Sequence, residues 1–105
     1  NLLRSSAPVG FVLDSLPDPQ PVFRSIAFRG KISASEMYTI YNMGIGICVV
    51  VPENNVNEVI EIVKTEGKFA QRIGSVIDKD GQVLIPNNPL DGKDLISLDK
   101  YFNEA

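Results

Sequence analysis

Two glycines separated by a single isoleucine, in Asn42-Met43-Gly44-Ile45-Gly46, constrain this chain more than any other feature. They join the polar end of a helical segment, Glu36 to Tyr41, to a wholly apolar run, Ile45 to Val51, that stops at Pro52. Glycine is used where the backbone must take positive φ or where another group must approach with no Cβ in the way, so this is a crowded turn. The plain reading is a tight helix-to-strand joint. The run after it is apolar on both faces, as expected of a central strand covered on both sides or lying at a subunit interface.

Helix and strand signals alternate along the chain with short connections, which selects α/β or α+β architecture. Val9 to Leu13 reads as a strand. Pro21 suits the first turn of a helix of about two turns that carries Val22, Ile26 and Arg29 and stops at Gly30. Ser33-Ala34-Ser35-Glu36 fits a capping box for a second helix reaching about Tyr41, with Met37, Ile40 and Tyr41 facing the core. Asn54 or Asn55 caps a third helix whose Val56, Val59, Ile60 and Val63 recur at i, i+3, i+4 and i+7, with Glu58, Glu61, Lys64 and Glu66 mostly on the solvated side and Gly67 as the stop. Phe69 to Asp78 reads as a strand, and Asp80-Gly81 as a hairpin turn into Gln82 to Ile85. Asp78-Lys79-Asp80-Gly81 opens like a calcium loop, but no Glu closes it at the required distance, so the turn reading stands. After the turn-rich Pro86 to Gly92, Ser97 or Asp99 could cap a short helix bearing Leu98, Tyr101 and Phe102.

The chemistry is sparse. There is no His, which removes the commonest general base and most zinc sites, and no phosphate loop or dinucleotide fingerprint. Asp78 and Asp80 sit in a turn expected to be exposed, where a solvated pair is the ordinary outcome. A net charge of −3 over 105 residues argues against a nucleic-acid or anionic-membrane surface, and the longest apolar run is too short to span a bilayer. No metal site is expected. The one Cys, Cys48, falls inside the apolar strand and is expected to be buried there, with a reducing, cytoplasmic setting as the natural consequence.

The string Glu36-Met37-Tyr38, three residues, Asn42-Met43-Gly44-Ile45-Gly46 and an apolar strand resembles a hallmark of aminoimidazole ribonucleotide synthetase, also called phosphoribosylformylglycinamidine cyclo-ligase, in its C-terminal domain. Other pieces follow in the family's order. Asn1-Leu2-Leu3-Arg4 resembles its Asn-x-Pro-Arg element, with Leu3 in the proline position. Gly10 to Asp14, Pro19 to Gly30 and Arg72 to Val76 resemble a strand, a Pro-started helix and a later strand.

The resemblance implies a single C-terminal-type domain, a mixed sheet packed with helices, over residues 1–85, with 86–105 as an extension. It implies an ATP-dependent ring closure of formylglycinamidine ribonucleotide, with ATP and Mg²⁺ held by an N-terminal domain outside these residues, so that this stretch alone binds no cofactor. It also implies a homodimer. The matched positions are Asn1 and Arg4, beside the expected phosphate-binding segment, and Asn42, Gly44 and Gly46, as substrate-binding or cleft-shaping residues. Arg4 suits an anion, because a guanidinium forks onto phosphate oxygens. Two alternatives stay open: another ATP-dependent enzyme of the superfamily, such as a thiamine-monophosphate kinase or a hydrogenase-maturation factor, or a non-catalytic α/β ligand-binding or regulatory module.

Overall fold

Helix α1 spans Pro21–Gly30, with Pro21 at the position where a missing N–H costs nothing. Its end departs from expectation: Lys31, at φ 54°, supplies the left-handed cap and donates its N–H to the Ala27 and Phe28 carbonyls, while Gly30 is still helical. The computed structural model describes residues 8–98 and 101–104. Helix α2, Ala34–Ile40, starts as its sequence requires, with the Glu36 N–H donating to Ser33 Oγ at 3.3 Å. Met37 is fully buried, but Ile40 is largely exposed, so only part of the expected core-facing row faces inward. A 3-10 turn, Glu53–Asn55, leads into α3, Val56–Thr65, where Asn55 holds the cap position without a side-chain cap bond.

Five strands form one mixed sheet: β1 Gly10–Val12, β2 Ser75–Ile77, β3 Gln82–Ile85, β4 Leu95–Leu98 and β5 Tyr101–Glu104, in the order β2-β1-β3-β4-β5. Only β1 and β3 run parallel, with Phe11 opposite Val83. The core lies on one face of this sheet, where Phe11, Val83, Ile85 and Leu95 meet Ala34 of α2. Burial of each large apolar side chain here contributes about 1.5–3 kcal/mol. Arg24 reaches from α1 to the Pro89 carbonyl at 2.8 Å, and Phe23 meets Tyr41 edge to face at 6.1 Å, so both helices are tied to the same layer.

Four expectations are corrected. The segment from Ile45 to Val51 takes no regular secondary structure and joins no strand ladder, and Ile47 is 82% exposed, because nothing among the described residues covers it. Cys48, expected to be buried, is exposed for the same reason. Only Ser75–Ile77 of the run from Phe69 to Asp78 is strand, and Asp80-Gly81 does not close a hairpin, because β1 sits between β2 and β3 and takes the pairing of both. The segment expected as a C-terminal helix is instead β4 and β5: Leu95 pairs with Ile85 and with Glu104, and ladder bonds along the open edge of β3 prevail over a local cap signal. Asp99, one of the two proposed caps, lies outside the described residues.

Candidate functional site

The turn after α2 is built by its own asparagine. Asn42 Oδ1 accepts the Gly44 N–H at 2.8 Å, and the Asn42 carbonyl accepts the Ile45 N–H at 3.0 Å. Both central residues lie at positive φ, Met43 at 54° and Gly44 at 90°, the signature of a type I′ turn. For methionine this conformation is strained, and a side chain only 3% exposed holds it in place. A Cβ on Gly44 would meet Gln20 Oε1 at 2.6 Å as well. Gly46 differs: its φ is not in the left-handed region and no atom lies within 4 Å of a Cβ placed there. The expectation that geometry fixes both glycines is thus met at Gly44 and corrected at Gly46.

Because only one of the two glycines stands at positive φ, Gly44→Ala should cost about 1 kcal/mol or more, whereas Gly46→Ala should be neutral or slightly stabilising. Urea unfolding of the two variants compares them directly. Equal midpoints would contradict the turn geometry.

Gly44, Ile45 and Gly46 stand at the edge of an apolar groove of about 590 Å³. Its other walls come from residues 47–51, from the α3 row Val56, Val59, Ile60 and Val63, and from residues 69–76 leading into β2. The polar groups at its margin are engaged: Arg72 bonds Ser75 Oγ at 2.9 Å and lies 3.5 Å from Glu53, and Gln71 donates to the Ser15 carbonyl at 2.8 Å. Exposed as it is, the Arg72–Glu53 pair is worth at most about 1 kcal/mol. Gln20 and Arg72 were not singled out as site residues from sequence; only their positions in the fold bring them to the turn and the groove. Asn1 and Arg4 lie outside the described residues, so the structure brings together Asn42, Gly44 and Gly46 alone.

Tyr38, inside the Glu-Met-Tyr string, has a buried hydroxyl with no hydrogen-bond partner among the described residues. Burial, opposed by Arg24 and assisted by Asp18 and Asp91, pushes its pKa up from 10.0 to about 12. A raised folded-state value means that the neutral phenol is favoured in the fold. Its contribution is complete below pH 10 and is lost as pH rises through about 12. Wild type should therefore lose more urea stability between pH 9 and 11 than Tyr38→Phe, which should be neutral or slightly stabilising at pH 7 because it removes an unpartnered hydroxyl. Parallel losses in the two proteins would contradict this.

No three His, Cys, Asp or Glu side chains converge among the described residues in a way that could hold a metal ion. No helix among them is long and apolar enough to cross a membrane.

A family profile described as "AIR synthase related protein, C-terminal domain" matches residues 2–86. The chain belongs to this family. Among relatives, the phosphoribosylformylglycinamidine cyclo-ligase of Methanocaldococcus jannaschii is 37% identical over 101 residues, 95% of this chain and 28% of the relative. That of Methanothermobacter thermautotrophicus is 43% identical over 83 residues, covering 79% and 23%. That of Rippkaea orientalis is 36% identical over 77 residues, covering 73% and 22%. The chain thus spans about a quarter of the length of these cyclo-ligases. No solved structure gives a significant match. In this chain the Asn42 turn borders the groove through Gly44, and Ser75 and Val76 of β2 line it in part.

Proposed function

We propose that this chain acts as part of an ATP-dependent cyclo-ligase that closes the imidazole ring of formylglycinamidine ribonucleotide in purine biosynthesis. The observation that carries the reading is the match of 101 residues to a cyclo-ligase at 37% identity, through the segment that forms the strained Asn42 turn. In the reaction, the γ-phosphoryl group of ATP passes to the substrate's amide oxygen, leaving ADP. The substrate's amidine nitrogen then attacks the activated carbon, phosphate departs with the C–O bond, and a proton is lost to give aminoimidazole ribonucleotide. Such chemistry needs positioning and charge neutralisation more than a protein nucleophile, which is compatible with a chain that contains no His.

In this reading Asn42 and Gly44 shape the cleft wall, Gly46 gives the chain room beside it, and Arg4, with Asn1, meets a phosphate of the ligand. The ATP and Mg²⁺ sites belong, in this reading, to an N-terminal domain outside these residues, as the family resemblance implies. Residues 1–85 then belong to the C-terminal domain proper and 86–105 extend it, in a cytoplasmic homodimer. Calorimetric titration of the 105-residue chain with ATP and Mg²⁺ tests the division of labour: no binding is expected, and stoichiometric micromolar binding would overturn it.

A further inference from the structure

We draw no further inference here: the strongest candidate, the apolar groove walled by α3, residues 47–51 and residues 69–76, carries nothing, because nothing in the structure shows what covers it.

Discussion

Gly74→Ala should lower the melting temperature by about 10 °C or more, an effect of roughly 3 kcal/mol in a domain of this size. A Cβ on Gly74 would run into the Val12 carbonyl oxygen, with the Val12 carbonyl carbon at 2.8 Å and Leu13 Cα at 2.9 Å. All three obstacles are backbone, which cannot rotate aside as a side chain can. The strand they belong to is pinned as well: the Leu13 N–H donates to the Leu84 carbonyl at 2.7 Å, and the Ser15 N–H to the Ile73 carbonyl at 3.0 Å. Relief therefore means parting β1 from the segment entering β2, and the groove margin at Arg72 and Ser75 would shift with it. Thermal unfolding followed by circular dichroism measures the loss. A variant melting within about 2 °C of wild type would show that the close approach does not exist.

The second large effect is expected at Asn88, which is 1% exposed and uses its whole amide. Its Nδ2 donates to Asp91 Oδ1 at 2.7 Å and to the Lys93 carbonyl at 2.8 Å, while its Oδ1 accepts the Leu90 N–H at 2.9 Å and the Asp91 N–H at 3.2 Å. Asn88→Ala strands these partners where water reaches them poorly, at a cost of about 2–4 kcal/mol. Asn88→Asp should be worse despite its matching shape, because it places an acceptor against the Asp91 carboxylate and the Lys93 carbonyl. The loop also sets the entry to β4, through the Asn87 N–H on Asp94 Oδ1 at 2.8 Å, and gives α1 its Arg24 anchor. Urea unfolding should rank wild type above Ala and Ala above Asp. A loss below about 0.5 kcal/mol in both would contradict the network.

What was legible in the sequence was whatever short-range chemistry decides. Pro21, the Ser33 cap and the apolar row of α3 each act within a turn or two, and the helices fall where those residues put them. The Asn42-Met43-Gly44 turn was legible because its glycine answers a local backbone demand. Long-range pairing was not. Nothing in Asp80-Gly81 announces that β1, some seventy residues earlier, lies between the strands it joins, and nothing in Ser97 reveals the open edge of β3 that draws β4 into the sheet. The run from Ile45 to Val51 is a third kind of case: its apolar character was legible, but a strand there and the burial of Cys48 both require a neighbour that the described residues do not contain. The site shows the same division. Asn42 and Gly44 follow from their own turn, whereas the roles of Gln20 and Arg72 depend on what the fold brings beside them.

The central claim is that these residues complete a cyclo-ligase. Its most direct test is a graft in which the chain replaces the matched 101 residues of the Methanocaldococcus jannaschii relative, and the rate at which it converts formylglycinamidine ribonucleotide and ATP to aminoimidazole ribonucleotide. The account predicts ATP-dependent product formation by the graft and none by the 105-residue chain alone, with turnover reduced about tenfold or more by Arg4→Ala through loss of a charge-assisted phosphate contact. A folded graft that forms no product, or that phosphorylates thiamine monophosphate in its place, would contradict it.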